Sequence, residues 1–291
     1  MSKPLFLAAG HNGLRLTSPD GKTWSEPALG KEGETYRCAA AGNGCLAVVG
    51  SYGGSNVFAS TSSGTAWKTS IKDAQYSRYI RGLGFGNGSF LALGGDPGSV
   101  GLARPFVFLS PDGEKWDGPH EISGKYMVRR VAHGNKQFVA VGDRGRRAAS
   151  PDGRTWTDAP EVKAIDTLVD VAYGNGVFVG VGLHGLRMLT TDGVKWTDRQ
   201  TGEEGEHLNS LVWAKDRFVA MGVGATFTSS DGVKWERSTN ENAPVTMAYG
   251  AGVFIGPRWK GRLVRSTDGI KWDEVYKGEQ HIETVAFGEV G

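Results

Sequence analysis

Short apolar runs and turn signals alternate along the whole chain, and residues 168–196 show the unit most clearly. Leu168 to Tyr173 is apolar with one acid inside it. Gly174-Asn175-Gly176 follows, a tight-turn signal because Asn and Gly tolerate positive φ. Val177-Phe178-Val179-Gly180-Val181 is rich in β-branched and aromatic residues and reads as a second strand. Leu183-His184-Gly185 turns the chain again, and Leu186 to Thr191 alternates as a third strand. Asp192-Gly193-Val194-Lys195 is another turn, and Trp196 opens a fourth strand. Short strands joined by short turns predict an antiparallel meander of four.

The unit repeats. Ser-x-Asp-Gly-x-x-Trp, or a close variant, occurs seven times, with tryptophans Trp24, Trp67, Trp116, Trp156, Trp196, Trp235 and Trp272 spaced 43, 49, 40, 40, 39 and 37 residues apart. A period near 40 residues that reads as four strands predicts an all-β, seven-bladed β-propeller with four-stranded antiparallel blades. Asp20, Asp112, Asp152, Asp192, Asp231 and Asp268 are expected to accept backbone N–H groups of the following turn. Each tryptophan is expected to fill the gap between blades with its N–H on a carbonyl. The second copy has Ser63-Gly64 in place of Asp-Gly, so a looser turn is expected there.

Residues 4–10 match the second strand of a repeat, and His281 to Gly288 matches the first (HIETVAFG beside DTLVDVAYG). The two ends are therefore expected to share one blade, closing the ring and removing its exposed edges. This places one domain over residues 1–291, with a composite blade from 1–27 plus 281–291 and further blades near 35–70, 77–119, 126–160, 166–199, 207–238 and 244–276.

Composition narrows the function classes. The 45 glycines and nine tryptophans suit a turn-rich β protein. A net charge of +2 from 33 basic and 31 acidic residues gives no general attraction to nucleic acid or anionic membrane. No apolar run is long enough to insert into a membrane. No signal peptide stands on the chain as given; the expectation leans to an extracytoplasmic protein with its signal removed, with the cytoplasm as the alternative. Around the Asn43-Gly44 turn, Gly42 faces Cys45 and Cys38 faces Val49, so no direct disulfide is expected between the two cysteines. Two cysteines are also a poor metal site, and neither metal nor cofactor is expected.

The repeat resembles the Asp-box (BNR) repeat of sialidase-like propellers, although the glycine here follows the aspartate directly, as in Ser150-Pro151-Asp152-Gly153-Arg154-Thr155-Trp156. The stretch from Phe138 to Trp156 is also similar to repeats of photosystem II assembly-factor propellers. The resemblance covers the whole chain and implies architecture more than activity, since this scaffold hosts unrelated functions. Sialidases of this fold use an arginine triad, a tyrosine–glutamate nucleophile pair, an aspartate acid and a Phe/Tyr-Arg-Ile-Pro segment; that segment is missing here. His-Glu-x-x-His, Walker and Gly-x-Ser-x-Gly motifs are missing too. Gly180-Val-Gly182-Leu-His-Gly185 has dinucleotide-type glycines but runs from strand to strand, without the helix N-terminus that holds a pyrophosphate. The sequon Asn87-Gly88-Ser89 coincides with the recurring turn and reads as scaffold.

Candidate binding residues lie on the face formed by the loops between second and third strands and by the blade-to-blade connections, which vary most. The loop Gly94 to Pro105 carries Asp96 and Arg104. Another loop carries Arg258, Trp259, Lys260 and Arg262, with a tryptophan suited to stack on a sugar or anchor a protein. Arg15, Arg147 and Arg187 share one register, five residues before their aspartates. Arg37, Arg81, Arg129, Arg130, Asp170 and Glu283 sit near the start of the innermost strands and are expected at one channel mouth. There they either bind an anion or an acidic partner loop, or pair with each other across blades. The sequence thus points to a non-enzymatic scaffold for a protein partner. A glycan-binding propeller centred on Trp259 is the alternative, although no aromatic–Arg–Glu set repeats in every blade as in bacterial fucose-binding propellers. A sialidase-like hydrolase is the third reading.

Overall fold

The structure, a computed structural model, describes residues 2–74, 79–97, 103–160 and 162–291. Seven antiparallel sheets form a seven-bladed propeller. Blade 1 joins the two ends of the chain: Ile282–Val290 is its inner strand and pairs with Lys3–Gly10, from Lys3↔Val290 to Gly10↔Ile282. Its third strand is Arg15–Ser18. Blade 1 has three strands rather than the expected four; an isolated bridge, Arg15↔Ala28, stands where the fourth would run. Blades 2 to 7 each have four strands, with inner strands Thr35–Gly42, Ile80–Gly86, Val128–Gly134, Leu168–Gly174, Leu208–Ala214 and Ala248–Gly250. Successive inner strands touch one another around the central channel.

The core lies between blades. Val139 and Val141 of blade 4 pack with Leu168 and Phe178 of blade 5, and Val179 and Val181 of blade 5 with Leu208 and Phe218 of blade 6. The second strand of each repeat is buried on both sides, which is why it reads as continuously apolar. At the far end of the inner strand a glycine meets the next blade's aromatic ring. A Cβ on Gly134 would lie 2.1 Å from Tyr173, and one on Gly174 would lie 2.1 Å from Trp213.

The Asp turns close the outer edge by one repeated device. In blade 4, Asp152 Oδ1 accepts the N–H groups of Arg154 and Thr155 at 2.8 and 2.7 Å. Ser150 Oγ accepts the Gly153 N–H at 2.8 Å, and Trp156 Nε1 donates to the Gly153 carbonyl at 2.9 Å. In blade 2 the Ser63 hydroxyl takes the aspartate's place and accepts the N–H groups of Thr65 and Ala66 at longer range, 3.3 and 3.0 Å. That turn is formed and looser. Trp24, in the three-stranded blade, leaves its buried Nε1 without a partner.

These turns make the fold acid-sensitive. N–H bonds from Thr23 and Lys22 lower Asp20 from 3.8 to about 2, and Asp192 and Asp231 are lowered by the same kind of contact. A depressed folded-state pKa contributes stability that is complete above the ordinary carboxylate value and lost as pH falls through the folded value. Urea midpoints are therefore expected to fall between pH 4 and pH 2, following the ordinary and folded values of Asp20. Asp20→Asn with Asp152→Asn flattens that slope; an unchanged slope would show that the turns do not carry it.

Two expectations for the loops are settled by geometry. The loop Gly94 to Pro105 is largely a hairpin, because Ser89–Pro97 and Ala103–Ser110 stay paired out to Asp96↔Arg104 and Pro97↔Ala103; residues 98–102 fall outside the described part. Cys38 and Cys45 are free and buried, with Gly42↔Cys45 and Cys38↔Val49 as the facing pairs. Burial, followed by Asp112 and Glu114, pushes the Cys45 thiol up to about 11.

Candidate functional site

Six of the seven inner strands begin with a defect. The register slips between Tyr36 and Cys38, Ile80 and Gly82, Val128 and Arg130, Leu168 and Asp170, and Leu208 and Ser210, and blade 1 slips at the matching place. The extra residues are Arg37, Arg81, Arg129, Val169, Asn209 and Glu283. A bulge leaves its extra residue outside the ladder and re-aims it, here toward the channel. In blade 7 the ladder begins at Ala248, and Val245-Thr246 take the place of the bulge. A glycine at the end of the second strand gives the incoming chain room. A Cβ on Gly50 would lie 1.8 Å from the Thr35 carbonyl oxygen, one on Gly142 2.0 Å from that of Met127, and one on Gly182 2.1 Å from that of Thr167.

The result is a mouth of about 280 Å³ to which all seven blades contribute. Arg37, Arg81, Arg129, Arg130 and Glu283 meet there, with Val169, Asn209, Val245 and Thr246 opposite. The cations are unevenly answered. Arg37 is 3.9 Å from Glu283, which also bonds His11 at 2.8 Å. Arg129 pairs with Asp143 of its own blade. Arg130 donates to the carbonyls of Arg81 and Arg129 and stands 3.9 Å from Asp170. Asp170 lies beneath the mouth, accepting the N–H groups of Val171 and Leu211 at 2.9 and 2.8 Å. Burial pushes its carboxyl above its ordinary value, against Arg130 and those N–H groups. Arg81 has no carboxylate within ion-pair range among the described residues. Burial, then the like charges of Arg37 and Arg129, lowers its pKa. Arg37 and Arg81 also line an adjoining cleft of about 350 Å³ between blades 2 and 3, with Ala74, Tyr79 and Ile80.

The rim of the same face is apolar in places. Of eight exposed large hydrophobic side chains among the described residues, six lie on blade connections or on turns between second and third strands: Leu29, Tyr79, Ile165, Val223, Val245 and Trp259. Trp259 is 76% exposed and stacks on His281 at 5.3 Å. Its neighbour Arg258 donates to Asn242, Lys260 holds a φ of 63°, and Arg262 is 3.5 Å from Glu274.

Arg15, Arg147 and Arg187 are elsewhere. All three are buried between blades, with guanidinium carbons over Trp67 at 5.2 Å, Trp196 at 5.3 Å and Phe227 at 4.4 Å. They donate to the carbonyls of Gly13 and Leu29, of Asp166, and of Thr201. The structure thus makes them inter-blade packing, not contacts on the open face. Asp96 and Arg104 face one another across a strand pair and are not among the residues that line the mouth. Gly182 ends a strand and Leu183–Gly185 is a single 3-10 turn, so the dinucleotide-like glycines meet no helix.

Sequence reading did not single out Lys125, Tyr126 and Arg144. They form a second cationic cleft on blade 4, where Arg144 lies 5.7 Å over the Tyr126 ring. Its only signal is the density of cations from 125 to 147, spread over three separate loops and strands. Among the described residues no group of three or more His, Cys, Asp or Glu side chains is placed to hold a metal ion.

No protein-family model matches the chain, and no curated protein does. Solved structures share the fold. The structure of YCF48 bound to D1 peptide has a TM-score of 0.60 at 16% identity, covering 80% of this chain and 76% of the other. YCF48 from Cyanidioschyzon merolae has a TM-score of 0.57 at 15% identity, covering 91% and 89%. The WD40 propeller domain of Doa1 has a TM-score of 0.60 at 11% identity, covering 85% and 83%. At these identities the likeness is one of architecture.

Proposed function

We propose that the chain is a non-enzymatic scaffold that docks a protein partner on the variable face, over the arginine-lined mouth. The observation that carries this reading is the gathering of six of the eight exposed large hydrophobic residues among those described on the face that also holds Arg37, Arg81 and Arg129. Exposed apolar side chains beside guanidinium groups are what protein interfaces bury. The likeness to YCF48, whose structure was solved with a D1 peptide, supports a peptide-sized ligand on such a propeller.

Arg81→Glu with Arg129→Glu reverses two charges at the mouth. In pull-downs with the purified protein, a stoichiometric protein partner is expected to be retained by the wild type. The double variant is expected to lose at least about tenfold in affinity, with most of the salt dependence. Val233→Asp on the opposite face leaves binding unchanged. Retention of the partner by the double variant would move the interface elsewhere, and a wild type that retains no protein would remove the reading.

A further inference from the structure

The mouth on the variable face has a cationic side and an uncharged side. Blades 2 to 4 supply Arg37, Arg81, Arg129 and Arg130 to the mouth, and blade 4 carries Lys125 and Arg144 in a second cleft. Blades 5 to 7 supply the uncharged Val169, Asn209, Val245 and Thr246 to the same mouth. Beyond them stand Val223, 89% exposed, and Trp259. The division follows the bulge positions, which carry arginine in blades 2, 3 and 4, valine in blade 5 and asparagine in blade 6; Val245-Thr246 stand at that place in blade 7 without a bulge, and Glu283 is the bulge residue of blade 1.

Neither side alone suits a uniform ligand. A purely apolar partner would cover Arg81 and remove water from a charge it cannot answer. A purely acidic one would answer the arginines and leave Val223, Val245 and Trp259 in water or against carboxylates. A ligand that satisfies both carries acidic groups along one side and apolar groups along the other. We infer that the occupant of this face is an acidic amphipathic protein segment, laid across the mouth with its carboxylates over blades 2 to 4 and its apolar side chains over blades 5 to 7. This rests on the docking function proposed above and adds the chemistry and direction of the partner.

Charge complementarity fixes the orientation. Among the described residues the Arg81 guanidinium has no carboxylate within ion-pair range and lies 5.9 Å from the Tyr79 ring, and Arg37 holds Glu283 at 3.9 Å, a separation an incoming carboxylate can outcompete. Trp259 has one ring face on His281 and is otherwise open, which fits an anchor for an apolar side chain.

The test uses the whole protein and a fluorescein-labelled peptide of about 18 residues built from Glu and Leu, with Leu at helical i, i+3, i+4, i+7 spacing. A scrambled isomer of the same composition is the comparison. Anisotropy titrations are expected to show binding of the amphipathic peptide and about tenfold weaker binding of the isomer. Arg81→Glu with Arg129→Glu, and separately Val223→Asp with Trp259→Ala, are each expected to weaken the amphipathic peptide by about tenfold, while Val233→Asp leaves it unchanged. Equal binding of the two isomers, indifference to either pair of substitutions, or no binding of the amphipathic peptide would overturn the inference. If a protein partner is still captured through Arg81 and Arg129, those results leave the docking function standing and refute only the two-sided chemistry.

Discussion

Removal of residues 282–291 is expected to abolish the cooperative unfolding transition. The segment is the inner strand of blade 1 and pairs with the other end of the chain over its whole length. It buries Ile282, Val285, Ala286 and Val290 and touches the inner strand of blade 2. Loss of its three larger aliphatic side chains alone costs roughly 6 kcal/mol, and it also leaves the ladder edge of Lys3–Gly10 without its partner and opens the ring. Native domains hold only about 5–15 kcal/mol in total. Thermal unfolding followed by circular dichroism is expected to show no transition for the shortened chain. Adding the missing segment as a peptide is expected to restore one. A transition within a few degrees of the wild type would show that ring closure contributes little.

Gly142→Ala is expected to destabilise the protein by about 3 kcal/mol, at the upper end of the usual cost of overpacking. Gly142 is extended, with φ near −168°, so no unusual dihedral demands glycine there. The obstacle is the Met127 carbonyl, 2.0 Å from where a Cβ would sit. Backbone must move, and the backbone in question carries the bulge that presents Arg129. The same variant is therefore expected to weaken binding at the mouth. Gly176→Ala is the informative contrast. Its φ is 81° and nothing lies within 4 Å of its Cβ position, so it is expected to cost about 1 kcal/mol in backbone strain and leave the mouth intact. Urea denaturation of both variants separates the two mechanisms; equal costs would mean that the packing of the bulge is not what Gly142 provides.

Much of the architecture was legible before any coordinates. The repeated turn required Ser, Asp, Gly and Trp at fixed offsets because one carboxylate accepts two N–H groups and one indole reaches back to a carbonyl. Both are local bonds, spanning three residues or fewer, so they leave a local pattern. Closure was legible for a similar reason: a first strand missing from one end of the repeat and present at the other has one place to go. The same periodicity pointed to Arg37, Arg81, Arg129, Arg130 and Glu283, which line one mouth, and to Asp170, which the structure puts beneath it.

The pattern could not say what each arginine does. Arg147 and Arg129 look alike in sequence, each a cation near the end of a strand. One is buried over Trp196 of the next blade, and the other faces the channel. That difference depends on which neighbour a blade meets and on a one-residue slip in pairing. The absence of a fourth strand in blade 1 and the pairing of Asp96 with Arg104 are likewise outcomes of register. What the sequence determined by itself was the repeat, the turns and the number of blades, because short-range hydrogen bonding and alternation encode them residue by residue. What only the tertiary structure decided was which cations are packing and which are surface, and how the mouth divides into a cationic and an uncharged side. Those follow from contacts between blades about 40 residues apart, where no local rule constrains the residue that the next blade presents.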